Sequence, residues 1–349
     1  MCAGRPTIAL TRYRGLFVKR FFILLLAAVL CLSSLPALAD APALLYTGTM
    51  LKDINLRVTE SQEADSLGVL RAGEDVGIID YSPEWLHLYS ERLGEGYVLR
   101  QYVDAITPLD PENTPPYGAI LHSQVATVCA QTPVYAAPDA AAEELCAVTP
   151  GSRISFWYIQ DGWIVIPYQR TIGYIPASAI SDLEPVAPTA EYAQRGDILA
   201  AFTSFYKTTQ TELNLGRMVN IDVACDYISI VMNPGDEFSF NGIAGPYRAA
   251  RGYMSAPVLI DGTTMPGYGG GTCQVSTTLY NVLLQLWKGI TIIHRRPHGP
   301  SGASYVPHGV DAAVGSENLD LIFQNAYDFP IQIDASAQDG ALFIAIRKA

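Results

Sequence analysis

The chain has 349 residues, with 34 Asp or Glu against 22 Lys or Arg and a formal net charge of −12. Nucleic acid and anionic membrane surfaces need a basic footprint, so neither is an expected partner. A hydrophobic fraction of 49% can fill globular cores, and the length predicts two or three domains.

Residues 1–39 read as a secretory signal. Arg12, Arg14, Lys19 and Arg20 form a positive start, FFILLLAAVLCLSSL an apolar run, and ALA at 37–39 a small-residue cleavage site. The run is short for a membrane span, and Leu30 stands before Cys31 where a lipid attachment site would have a small residue. Cleavage after Ala39 removes Arg5 with those four basic residues, leaving 17 of the 22 against 34 acidic ones, a net −17. The expected location is therefore the extracellular cell envelope, with no membrane anchor after cleavage. Four cysteines follow, Cys129, Cys146, Cys225 and Cys273. They are too few for a disulfide framework, although Cys129 and Cys146 share one small module and could pair.

The next 140 or so residues hold an internal repeat. At a constant offset of 78, the stretch from Asn55 aligns with that from Pro133. Leu56 meets Val134, Leu67 meets Leu145, Gly73 meets Gly151, Val76 meets Ile154 and Trp85 meets Trp163. With one residue of slippage, GYV at 96–98 meets GYI at 173–175. LHLY and IVIPY alternate with the two-residue period of half-buried strands, and units this short predict small closed barrels. NLRV, the mid-module LxxG, the Trp and the terminal GYV resemble bacterial SH3 domains. The resemblance implies binding to peptidoglycan, through Arg57, Trp85 and Tyr97 in the first copy. Tyr135 replaces the arginine in the second. Proline-rich stretches at 107–118 and 184–192 read as linkers. The expected domains are therefore 44–106, 117–183 and 190–349.

In the third domain, Arg217–Val231 predicts a helix with Val219, Val223, Tyr227, Ile230 and Val231 on one face and Cys225 as a core thiol. Asn233-Pro234-Gly235 ends it. After GGG at 269–271, a second helix begins, with Thr272 as its N-cap and Val275, Leu279, Val282, Leu283 and Leu286 on its apolar stripe. Cys273 then lies in the first turn, where unpaired amides and the helix dipole favour a thiolate. Gly270, Gly271, Thr272, Gln274 and Ser276 are the expected substrate and oxyanion contacts around it. Strands at 290–293, 319–323, 330–334 and 341–346 follow, predicting an α+β arrangement. His294, His298 and His308 come within 35 residues of Cys273, and Asp311 follows His308. Cys273, His298 and Asp311 occur in the chain order of nucleophile, base and orienter. Each residue type also has a plain structural use: a packed thiol, a turn histidine, a loop-bracing aspartate. Pro297 interrupts any helical metal motif from His294 and His298, so no metal and no cofactor are expected.

PGDEFSFN, RGY at 251–253, GGGTCQVSTTLYN, YVPHGVDAAV and FQNAYDFPIQI, in this order, resemble the VanW family, over about 200–335. Gly299 stands where that family usually has Ser, and Val310 where it usually has Arg. The resemblance implies an envelope role and no particular reaction.

The expected architecture is multidomain: two small all-β SH3-like barrels, then an α+β domain with a Cys-bearing helix packed on an antiparallel sheet. Two functions compete, a thiol-dependent peptidase or transpeptidase on peptidoglycan stem peptides and a non-catalytic wall- or precursor-binding protein. A purely structural spacer is a third. The sequence indicates no oligomeric state.

Overall fold

The computed structural model describes residues 42–260, 263–299 and 302–349. The predicted signal segment, with Cys31, lies outside them. The described chain is mostly β-sheet with a few helices, arranged in several sheets.

Residues 46–108 form a seven-stranded sheet, in the order Ser66–Leu70, Ile54–Arg57, Gly94–Leu99, Trp85–Ser90, Asp75–Tyr81, Tyr46–Met50 and Val103–Pro108. Its alternating strands turn Leu56, Leu70, Ile78, Leu86 and Leu88 into one fully buried cluster. Residues 124–185 form a five-stranded and a three-stranded sheet around Val134, Ile154, Phe156, Ile164 and Ile175.

Beyond them, the strands Ile198–Phe205, Ala341–Lys348, Ile331–Gln338 and Val231–Met232 make an antiparallel sheet in that order. Helices Glu212–Ile228 (α1), Phe240–Ala244 (α2) and Thr272–Leu283 (α3) share its core cluster. Three further strands, Glu237–Ser239, Ile322–Asn325 and Ile290–His294, form a second sheet, and Ser255–Ile260 with Thr263–Tyr268 form a hairpin.

The first strand of the large sheet is absent from the sequence-based expectation, which put helices before strands. ILAAFTSF is buried at all eight positions and shows no alternation. Both of its faces are covered, so the usual period of two vanishes. Leu199, Ala200 and Phe202 face the helices, whereas Ile198 and Ala201 pack with Val125 and Phe343. Ser155 donates its amide to Thr203 Oγ1 at 2.9 Å across the same junction. Residues 44–349 accordingly form one compact unit.

The α1 face also differs from expectation. Gly216, Asn220, Ile221, Ala224, Cys225 and Ile228 point inward, while Val219, Val223 and Tyr227 are half-buried and Val231 is exposed. Small residues win this face because α1 lies close against the hairpin, so apolar content alone misplaces it by about one residue. Cys225 is buried, and desolvation pushes its thiol well above the usual range.

Cys129 and Cys146 are free thiols. The pairing considered from sequence is not made: Cys129 follows a strand of the three-stranded sheet, and Cys146 lies within the five-stranded one, opposite Val134.

Along α3, Val275, Leu279, Val282 and Leu283 are buried as the stripe predicts. Leu279→Ala is expected to cost about 2–5 kcal/mol in reversible denaturant unfolding, a cavity penalty; a loss below about 1 kcal/mol would show that this helix is not central to the core.

Candidate functional site

The thiol is placed by the turn before it. Gly271, rather than Thr272, caps α3, with φ 111° in the left-handed region and no side-chain cap bond. Thr272 is the first helical residue, and its hydroxyl donates to Gly269 O at 2.8 Å. A Cβ on Gly270 would stand 2.4 Å from Pro257 O, so that glycine is demanded by close backbone approach. Buried Asn220 of α1 pins this turn. Its Nδ2 donates to Gly270 O at 2.9 Å and Met254 O at 3.0 Å, while its Oδ1 accepts from Met254 N at 2.7 Å. Asn220 has no sequence signature beyond a polar residue on a helix, which is why sequence reasoning passes over it.

From the thiol onward, α3 grips an extended segment of chain through a ladder. Asn281 Nδ2 donates to Val310 O at 2.9 Å. Thr277 Oγ1 accepts from Ala312 N at 3.0 Å and donates to Ala312 O at 3.3 Å. Cys273 Sγ donates to Val314 O at 3.4 Å and lies 3.5 Å from Val314 N. The helix advances about 6 Å in four residues. An extended chain advances about 6.6 Å in two. Rungs at 273, 277 and 281 therefore match backbone at 314, 312 and 310 running the opposite way. Asp311 falls between two rungs and is held fully buried.

Asp311 is bound from several sides. Its Oδ2 accepts from His298 N at 2.7 Å and from His298 Nδ1 at 2.6 Å. Arg295 Nη2 lies 3.8 Å from Oδ1, and Arg295 Nε donates to Asp311 O at 2.7 Å. With Nδ1 held by the carboxylate, the imidazole lies close enough to Cys273 to feel its side chain electrostatically. The structure thus brings Cys273, His298 and Asp311 together. Gly299 takes a left-handed φ of 75°, and Val310 is buried. Arg295 supplies a guanidinium to the aspartate although position 310 carries none.

The electrostatics follow from this geometry. Burial would lower the His298 pKa, but the hydrogen bond to Asp311 and the neighbouring Cys273 side chain outweigh it and push the imidazole up to about 10. Burial would raise Asp311, yet the bonds from the His298 ring and amide outweigh that and hold its carboxyl below the usual carboxylate range. At neutral pH the pair is an imidazolium and a carboxylate.

The remaining expected contacts are occupied internally. Gln274 is buried: its Oε1 accepts from Arg217 Nη2 at 2.6 Å, and its Nε2 donates to Ser204 Oγ and Phe205 O, each at 3.0 Å. Ser276 donates to Ala312 O at 2.6 Å, reinforcing the ladder. Neither side chain is free to meet a substrate. The Thr272 and Gln274 amides donate to Gly269 O and Gly271 O. Among the described residues the Cys273 amide has no such acceptor, which leaves it as the first-turn donor.

His294 is distant from this trio in its bonding, with Nε2 3.3 Å from Asn318 O. His308 lines a neighbouring cleft. No group of three potential metal ligands occurs among the described residues. In the first sheet, Arg57 and Tyr97 are cross-strand partners, and Tyr97 stacks on His87 at 4.7 Å. Trp85 is only 9% exposed, so its ring presents little surface.

The family described as VanW like protein matches residues 216–347 of this chain. The relative titled "Uncharacterized protein YoaR", from Bacillus subtilis (strain 168), is 31% identical over 201 residues, 57% of this chain and 65% of the relative. The chain thus spans a little under two thirds of that relative's length. Among solved structures, NlpC1 from Trichomonas vaginalis is 12% identical, with 89% of this chain and 94% of that one covered and a TM-score of 0.16. An NlpC/P60 family protein from Bacillus cereus ATCC 10987 is 10% identical, with 86% and 99% covered and a TM-score of 0.17. Likenesses this slight bear on neither fold nor chemistry.

The pKa directions set a stability window. The raised His298 pKa contributes stability that is complete below the ordinary histidine value of 6.5 and is lost as pH rises through about 10. The lowered Asp311 contributes above 3.8 and is lost as pH falls through its depressed value. His298→Ala should therefore destabilise most between pH 3.8 and 6.5, with the gap to the unsubstituted protein closing toward about pH 10. Denaturant midpoints measured across this range check it; a gap independent of pH would mean the imidazole is not ionically held.

Proposed function

We propose that this chain is an exported envelope protein and a thiol amidohydrolase or transpeptidase acting on peptide bonds of the cell wall, with Cys273, His298 and Asp311 as its working groups. The observation that carries the reading is the Asp311–His298 bond of 2.6 Å at Nδ1, with the same imidazole next to Cys273. In the reaction Cys273 acts as the thiolate whose proton is the one held on His298 opposite Asp311; the sulfur attacks the amide carbonyl carbon, and the developing oxyanion is met by the Cys273 amide and the α3 N-terminus. The C–N bond then breaks, and His298 gives a proton to the leaving amine through the nitrogen opposite Asp311. The resulting thioester is released by water, or by a second amine in a transpeptidation. Asp311 stays ionised and fixes the ring, as an orienter does.

The envelope address rests on the predicted signal and on the resemblance of the two β-rich segments to bacterial SH3 domains. Equivalent hydrogen bonds at the repeat offset support their being copies of one unit. Gly73 N donates to Met50 O at 2.8 Å and Gly151 N to Val128 O at 2.9 Å; Leu51 N donates to Tyr102 O at 2.9 Å and Cys129 N to Ala179 O at 2.8 Å. No described helix is long and apolar enough to cross a membrane.

One observation favours a second reading, a non-catalytic wall- or precursor-binding protein. The Cys273 thiol is itself a rung of the ladder to Val314, a structural use of sulfur.

Native-state labelling with iodoacetamide at about pH 7 separates the two. The enzymatic reading expects Cys273 to be alkylated without denaturant, and Cys273→Ser to retain binding to isolated sacculi while losing at least ~100-fold in release of stem-peptide fragments. Labelling only after unfolding, with unchanged wall function in Cys273→Ser, would leave the binding reading standing alone.

A further inference from the structure

A cleft of about 680 Å³ lies beside the trio, a size within the range of small-molecule and peptide sites. One wall comes from the short helical turn at Arg100, the last strand of the first sheet after it and the segment that follows, including Asp104 and Tyr117; the other comes from Tyr280, Arg295 and the His298 loop, and it reaches Asp311. The segment expected to be a linker is therefore part of a built surface.

Arg100 is the unusual member of this lining. It is 3% exposed. Its Nε donates to Tyr117 Oη, and its Nη1 donates to Ser82 O at 3.1 Å and Pro83 O at 3.4 Å. Its guanidinium lies 4.7 Å from the Tyr117 ring centroid and 5.2 Å from that of Tyr81. Among the described residues its Nη2 has no hydrogen-bond partner, and the guanidinium has no ion-pair partner. A buried cation held by carbonyls and aromatic faces, with donor capacity left over, is the arrangement a carboxylate completes. By contrast, Arg295 on the opposite wall is already spent on Asp311 and Gly309 O.

We infer that Arg100 anchors a carboxylate of an acidic peptide in this cleft, so that the first β-rich segment supplies part of the ligand site beside His298 and Asp311. Binding of the carboxylate stands on the cleft and Arg100 alone. That the bound peptide is the substrate rests on the enzymatic reading above.

The test uses the full chain carrying Cys273→Ala, so that nothing is turned over, and isothermal titration with a short alanine peptide containing one glutamate and a free C-terminus. Its partner probe has both carboxylates converted to carboxamides. The expected result is binding of the acidic peptide weakened about tenfold or more by amidation. Adding Arg100→Gln should weaken the acidic peptide to the level of the amidated one and leave the amidated one unchanged. Equal affinity for the two peptides, or no binding of either at millimolar concentration, overturns the proposal without any appeal to the variant's folding. Carboxylate-dependent binding, with no cleavage of the acidic peptide by the Cys273 protein, would uphold the Arg100 site and count against the peptidase reading.

Discussion

The constraint on which the site depends is the match between a helix and an extended chain. Cys273, Thr277 and Asn281 recur every four residues on α3, and they hold backbone at 314, 312 and 310, every two residues of an antiparallel-running segment. Their two repeats are nearly equal in length, so three rungs close without strain. Without this registration Asp311 has no fixed place, and without the Asp311 carboxylate the ring and amide of His298 lose their partner. A fully buried carboxylate must be paired; here the pairing is with the amide and ring of His298, and it fixes the ring beside Cys273.

The same device explains why the polar stretch TCQVSTTLYN makes a stable buried helix. Thr272, Gln274, Ser276, Thr277, Thr278 and Asn281 are all buried in α3. Each has a partner outside the usual helix ladder or in the turn before: Thr278 meets Ser204 at 2.7 Å, Gln274 bridges Arg217 and the Ile198–Phe205 strand, and Ser276 binds Ala312. Buried hydrogen-bonded networks of this kind fix a single arrangement where apolar side chains alone would tolerate several. The helix is thus bolted to the sheet on one side and to the 310–314 segment on the other.

Much of this was legible in the residues. The apolar stripe of α3 and the position of Cys273 in a first turn after glycines follow from spacing, whereas chain order suggested a pairing of His298 with Asp311 without placing the two side by side. Other parts were not. The glycines signalled an open approach for substrate, whereas Gly270 is consumed by contact with Pro257 and by the Asn220 clamp. Gln274 and Ser276 looked available because sequence records that a side chain can bond, not what it already bonds. The Ile198–Phe205 strand lacked alternation because both faces are covered. Arg100 gave no signal at all, since a buried guanidinium short of partners is a property of tertiary packing.

The central claim is that an imidazolium stands between the carboxylate and the Cys273 sulfur, and its most direct test is the ¹⁵N spectrum of the His298 ring as a function of pH. The account predicts a doubly protonated ring through neutral pH that titrates only toward about 10, and moves back toward 6.5 when Asp311 is replaced by Asn. A ring that is already neutral at about pH 7.5 in the unsubstituted protein would contradict it.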